Sequence, residues 1–154
     1  MKTTVTRYHD FSMGHAVTGH KLIDENGNET LIKGGCYNLH GHNYRFYFTI
    51  ESTLNKLDNV GRILDFNAIK AKLCTWLEQT WDHKFLINKD DERAPALYDL
   101  NPEGVRLVDF NPTAENIGAH ILNTVAPKLL VGTNTQLIKI SVEETRKCSA
   151  TVEL

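Results

Sequence analysis

Residues 36–51 read CYNLHGHNYRFYFTIE, and their parity decides how the chain around them is arranged. Tyr44, Phe46, Phe48 and Ile50 alternate with Asn43, Arg45, Tyr47, Thr49 and Glu51. A period of two with one apolar set predicts a strand over His42–Glu51 with one buried face. His40 and His42 share the even numbering of that apolar set. If the strand already begins at His40, both imidazoles point to the buried side. Gly41 between them lets another backbone approach closely. Upstream, His15 closes the segment FSMGH and shares parity with Phe11 and Met13, which predicts a third inward imidazole. Three histidines with one open position describe a catalytic zinc site. Cys36 is compatible with two roles. As a fourth ligand it closes the shell and makes the ion structural. As a thiolate beside the ion it is a base or nucleophile. Spacing alone leaves both open.

Outward from this stretch, the chain organises as strands flanking helices. Thr3–Val17 reads as an earlier extended segment. The loop from Thr18 to Gly35 carries Gly19, Asn26, Gly27, Asn28, Gly34 and Gly35, which is turn chemistry. Asn67–Trp81 is predicted helical, with Ile69, Leu73, Trp76 and Leu77 on one stripe. Asn88–Asn111, interrupted by Pro95, Pro102 and Gly104, is predicted irregular, with room for a short strand. Thr113 is the expected N-cap of a second helix, with Ile117, Ile121 and Val125 as its stripe. Pro127 is expected to end or kink it. Gln136–Glu144 alternates again, and Ser149–Leu154 completes a hairpin. Strand, strand, helix, helix, strand, strand predicts an α+β layer: an antiparallel sheet with helices on one face.

The bulk properties bound the function. The 154 residues, 41% of them hydrophobic, suit one domain over 1–154 with a real core. A net charge of −2 implies no general attraction to nucleic acid. No apolar run approaches membrane-spanning length, and the opening MKTTVTRYHDF lacks the apolar middle of a signal peptide. Three widely spaced cysteines argue against a disulfide framework and for a reducing cytoplasm. Cys74 and Cys148 read as structural.

Two acidic positions stand out. On Gln136–Glu144 the apolar parity runs Ile138, Ile140, Val142 and then Glu144. An inward carboxylate needs a partner or a task. Asp82-His83 follows the first helix, where a helix C-terminus favours a cationic imidazole. Neighbours in sequence rarely pair in ideal geometry, so a dyad here is open to His83 with another group. Glu115 in the first turn of the second helix is accounted for by the helix dipole.

Taken in order, FSMGH (11–15), C-x-x-x-H-G-H-N (36–43), ILDF (63–66), DHKFL (82–86), PTAEN (112–116) and VEET (142–145) resemble the 6-pyruvoyl-tetrahydropterin synthase and 6-carboxy-tetrahydropterin synthase family. The resemblance spans nearly the whole chain. It implies a T-fold, or tunnelling fold, in which a four-stranded antiparallel sheet carries two helices on one face. It implies trimers that stack into hexamers, with active sites between subunits. His15, His40 and His42 would hold one Zn2+ per subunit. Cys36 would be the general base, and Asp82 with His83 an acid/base relay. Glu144 would anchor the pterin ring, helped by Thr113 and Glu115. The three-residue interval between Cys36 and His40 resembles the bacterial 6-carboxy-tetrahydropterin synthases of queuosine biosynthesis. Their implied reaction takes 7,8-dihydroneopterin triphosphate to 6-carboxy-5,6,7,8-tetrahydropterin, acetaldehyde and triphosphate. A 6-pyruvoyl product, or a non-enzymatic zinc protein with Cys36 as fourth ligand, are the competing expectations. The chain departs from the family in having Ala16-Val17 where Arg-Leu is common. Lys33, Lys84 and Arg146 are the candidate basic contacts for the triphosphate.

Overall fold

The computed structural model describes all residues, 1–154. Its strands are β1 (Val5–His15), β2 (Lys21–Ile23), β3 (Glu29–Leu31), β4 (His40–Ser52), β5 (Phe85–Asn88), β6 (Val105–Val108), β7 (Thr135–Thr145) and β8 (Cys148–Glu153). The helices are α1 (66–80), α2 (Ala94–Leu100) and α3 (114–129). One six-stranded sheet runs β6-β5-β1-β4-β7-β8, and β2-β3 forms a separate small hairpin.

The class is α+β as expected, but the sheet is larger than four strands and is not purely antiparallel. β1, β4, β7 and β8 pair antiparallel, whereas β5 joins β1 in parallel and β6 joins β5 in parallel. Of the extra elements, β5 follows the first helix directly and the rest comes from 88–111, the segment expected to be irregular. It holds α2, with Pro95 in its first turn, and β6. Only four residues long, β6 offers too short a run for a period of two to stand out.

β4 pairs with β1 so that Phe11 faces Tyr44, Met13 faces His42 and His15 faces His40. The inward side chains of β4 form the core: Tyr44, Phe46, Phe48 and Ile50 are all essentially inaccessible. Phe46 meets Phe11 edge-on, with ring centroids 4.9 Å apart. α1 covers this face with Ile69, Leu73 and Leu77, and α3 with Ile117, Ile121 and Leu122. Both helices therefore lie on one face of the sheet, as expected. α2 packs through Ala94 and Leu97 against Ile87 and Val105. Ile87 alternates with Leu86 of the main core, so α2 covers the other face at the β5-β6 edge.

Both long helices contain a wide turn. Lys70–Cys74 and Ile121–Val125 have π geometry. In α3 this turn directly precedes Pro127, which sits in the last helical turn. Proline lacks the N–H for the usual bond and crowds the carbonyl four residues back. The helix widens there and continues to Leu129 instead of ending. Thr113 caps α3 as expected, its hydroxyl accepting from the Asn116 N–H at 3.2 Å.

β7 corrects one parity assignment. Thr49 pairs with Lys139 but Ile50 pairs with Leu137, so Ile138 is the extra residue of a bulge. Leu137 and Ile140 are inward, and Ile138 is only partly buried. Leu137→Ala should cost about 3 kcal/mol in denaturant unfolding, the usual range for emptying a buried leucine. Ile138→Ala should cost clearly less, and equal losses would contradict the bulge.

Candidate metal and pterin site

The histidine cluster is a product of strand register. His15 and His40 are directly opposite on β1 and β4, and His42 is the next inward residue of β4. The three ligand nitrogens lie within 4.8 Å of one another. Gly14 and Gly41 face each other on the reverse side of this pair. A Cβ on Gly41 would stand 3.0 Å from the Met13 carbonyl oxygen, and one on Gly14 2.5 Å from the Phe85 ring. Both glycines are what allows β1, β4 and β5 to approach so closely at the site.

Backbone carbonyls orient two of the imidazoles. His15 Nδ1 lies 2.7 Å from the Pro112 carbonyl oxygen, and His40 Nδ1 lies 2.6 Å from that of Asn38. Each Nδ1–H donates outward, which leaves the Nε2 lone pair facing the cluster. His15 Nε2 and His42 Nε2 are 3.1 Å apart. Two nitrogens sharing one tetrahedral zinc, each at about 2.05 Å, stand roughly 3.3 Å apart. The donor set therefore fits a zinc-sized cation. Burial drives the His15 pKa down to about 4, with the neighbouring imidazoles adding to the shift. Burial also lowers that of His42. Both rings remain neutral, as ligands must be, below the usual histidine range.

Glu144 faces the same cluster. Its carboxylate oxygens are 3.8 Å from His15 Nε2 and 3.8 Å from His42 Nε2. The inward direction agrees with parity, but the local cause is a second bulge. Glu143 pairs with Ser149 and Thr145 with Cys148, so Glu144 has no partner on β8. The bulge turns the carboxylate out of the ladder and toward the site. Close by, the buried Tyr44 hydroxyl has no hydrogen-bond partner. Burial and the charge of Glu144 push its pKa up, which keeps it a proton-bearing donor.

A cavity of about 300 Å3 opens beside these groups and is also lined by Cys36, Thr113 and Glu115. Cys36 is exposed in the 3-10 turn Gly35–Tyr37 and does not join the convergent trio. The trio alone, with one side facing a cavity, has the form of an open site rather than a closed four-ligand one. Cys148, expected to be structural, lines the same cavity. It is the first residue after a turn, and no pattern in sequence signals its position.

Asp82 and His83 lie elsewhere. His83 Nδ1 is 2.7 Å from Asp82 Oδ1, so the two neighbours do pair. Their pairing accompanies a left-handed His83 backbone, with φ of 60°. That conformation folds the ring back over the preceding side chain. The turn is tied to β1, where Ser12 O accepts from the His83 N–H at 2.7 Å and Asp82 Oδ1 accepts from the Ser12 N–H at 3.2 Å. His83 is 81% exposed and borders a cleft of about 540 Å3 with Ser12, Gly14, Asn43 and Lys84. Ser12 and Asn43 point away from the core, so this cleft lies on the other face of the sheet from Cys36. Within one chain the dyad and Cys36 are not brought together. Of the other candidate cations, Lys33 pairs with Glu92 and Arg146 with Glu143.

Comparison with known proteins places the chain in a family. Residues 4–154 match the 6-pyruvoyl tetrahydropterin synthase family. A 6-carboxy-5,6,7,8-tetrahydropterin synthase of Rickettsia typhi is 33% identical, covering 93% of this chain and 94% of its own. Among solved structures, a 6-pyruvoyl tetrahydropterin synthase of Caenorhabditis elegans superposes with a TM-score of 0.66 at 25% identity, covering 99% of this chain and 95% of its own. An uncharacterized protein of Wolinella succinogenes shares the fold with a TM-score of 0.79 at 22% identity, over 99% and 98% of the two chains. The chain belongs to the 6-pyruvoyl tetrahydropterin synthase family of enzymes.

Two measurements probe the site without substrate. A left-handed residue other than glycine costs about 1 kcal/mol. His83→Gly should therefore be about 1 kcal/mol more stable than His83→Ala. Equal stabilities would argue against the left-handed backbone. In metal-free protein, His15 binds its proton near pH 4 when folded and near 6.5 when unfolded. Between those values the unfolded chain holds more protons, so stability falls as pH drops. The loss should reach about 3 kcal/mol, read by urea unfolding across that window. His15→Gln should flatten the slope.

Proposed function

We propose that this chain is a zinc-dependent 6-carboxy-5,6,7,8-tetrahydropterin synthase serving queuosine biosynthesis. It converts 7,8-dihydroneopterin triphosphate and water to 6-carboxy-5,6,7,8-tetrahydropterin, acetaldehyde and triphosphate. The observation that carries this reading is the cluster of three Nε2 lone pairs opening onto a cavity shared with Cys36 and Glu144. The Rickettsia relative's name gives the product.

Each group has a task its chemistry suits. His15, His40 and His42 hold the zinc, which when bound supplies a Lewis acid for the hydroxyls of the substrate side chain. Cys36, as thiolate, removes a proton from the adjacent carbon. Glu144 accepts from the amino group and ring N–H of the pterin, a bidentate clamp that also accounts for an inward carboxylate. Thr113 and Glu115 line the same cavity and complete the pterin contacts. His83 supplies or shuttles a proton, and Asp82 fixes its tautomer through Nδ1. Because His83 borders a different cleft from Cys36, the relay at each site belongs to a neighbouring subunit of a trimer or dimer of trimers. That arrangement is supported by the two-faced placement of the groups. The 6-pyruvoyl activity in the name of the C. elegans structure is the second reading, and it uses the same residues.

Mass spectrometry of products from zinc-loaded protein and 7,8-dihydroneopterin triphosphate separates the two. Carboxy-tetrahydropterin with acetaldehyde is the expected result, and a pyruvoyl product would move the chain to the sister activity. Cys36→Ala and His83→Ala should each abolish turnover while keeping zinc. Mixed and reassembled in equal amounts, they should regain roughly one quarter of wild-type turnover, since random assortment rebuilds that share of sites. No regain would place both groups in one subunit's site or leave one of them outside the reaction.

A further inference from the structure

The segment 88–111 carries an ion pair that the proposed reaction does not use. The Asp91 side chain is 0% exposed, and Arg93 grips it as a fork. Nε donates to Oδ1 at 3.0 Å and Nη2 to Oδ2 at 2.8 Å. A carboxylate buried this completely is costly, and a fork of two parallel bonds is the geometry that makes it tolerable. The fork also fixes the plane of the guanidinium. Its remaining Nη1 donates to the Tyr37 carbonyl oxygen, and its face lies 3.7 Å from the centroid of the Tyr37 ring. The Tyr37 hydroxyl in turn donates to Glu92 at 3.0 Å. Ring and carbonyl of Tyr37 are held by Arg93 and its hydroxyl by Glu92, with Asp91 fixing Arg93.

Tyr37 is the residue after Cys36. On the other side of the turn, the Cys36 carbonyl accepts from the Val17 N–H at 2.8 Å, two residues beyond His15. The Tyr37–Asn38 peptide leads to the Asn38 carbonyl that orients His40. The turn bearing the thiol has no buried residue of its own to anchor it. Its position relative to the histidines rests on Val17 at one end and on Arg93 at the other.

We propose that Arg93, locked by Asp91, is a positioning residue that holds the Cys36 turn in its working place beside the histidine cluster. This assigns a role to the segment 88–111 and rests on the reading of Cys36 as the base. Charge alone does not meet the requirement. A lysine keeps the cation but cannot make the fork, the stack and the carbonyl bond together.

The test uses full-length zinc-loaded protein with Arg93→Met and Arg93→Lys. Both should keep KM within twofold and the metal stoichiometry of wild type, since neither pterin nor metal contacts change. Both should lose at least tenfold in kcat per metal-loaded site. Hydrogen exchange in the peptide 34–40 should accelerate in both, with the peptides of β4 and α3 unchanged. Should Arg93→Met not fold, Arg93→Lys carries the same readouts. A kcat within twofold of wild type, exchange in 34–40 at the wild-type rate, or a kcat loss accounted for by lost metal would overturn the proposal. The exchange measurement needs no substrate. If wild-type protein turns nothing over, faster exchange in 34–40 still supports the clamp while the proposed activity fails.

Discussion

The pairing of His15 with His40 across β1 and β4 is the constraint on which the rest depends. Parity puts an imidazole on the buried side of each strand, but register decides whether they meet. A shift of one residue would send one of the two strands' histidines to the other face. A shift of two would keep the direction and pull the nitrogens apart. Register here is held by the apolar pairs below the site, Phe11 with Tyr44 and its neighbours, so the core and the metal site are specified by one alignment. The facing pair Gly14 and Gly41 permits the close approach that this alignment requires.

Departures from regularity then aim the side chains. A bulge at Ile138 resets the inward parity of β7, and a second at Glu144 frees a carboxylate from the ladder. The left-handed backbone of His83 folds its ring onto Asp82. π turns let the covering helices pass through without interruption. Each carries a local energetic cost, offset by a core in which Phe46, Ile50, Leu77 and Ile117 are sealed from water. Two of these, the bulge at Glu144 and the turn at His83, border the clefts beside the histidine cluster and the Asp82–His83 pair, whereas the Ile138 bulge lies at the other end of β4.

The result is a subunit with its chemistry on two faces. The histidine cluster, Cys36 and Glu144 open on one side, and the Asp82–His83 pair opens on the other. A thin sheet presents alternate residues to opposite sides, so such a division is natural for strand-borne sites. The clamp on Tyr37 fits this picture, since an exposed turn bearing a reactive group needs support from an element packed elsewhere.

Much is legible in the residues themselves. Period-two alternation identifies β4, and its extension through His40 and His42, with the parity of His15, assembles the histidine cluster from sequence alone. Thr113 as N-cap and Glu144 as an inward carboxylate are equally readable, because capping and alternation are local rules. Local rules do not reach features set by partners distant in sequence. Nothing in 88–111 announces that β6 adds in parallel beyond β5, or that Arg93 reaches Tyr37 from 56 residues away. The bulge that makes Leu137 the inward residue in place of Ile138 is defined only by what β4 offers opposite. Composition and alternation thus determined which residues face inward and what chemistry they carry. Tertiary structure decided which of them meet, because distance between side chains is set by register, bulges and turns that only the paired strands define.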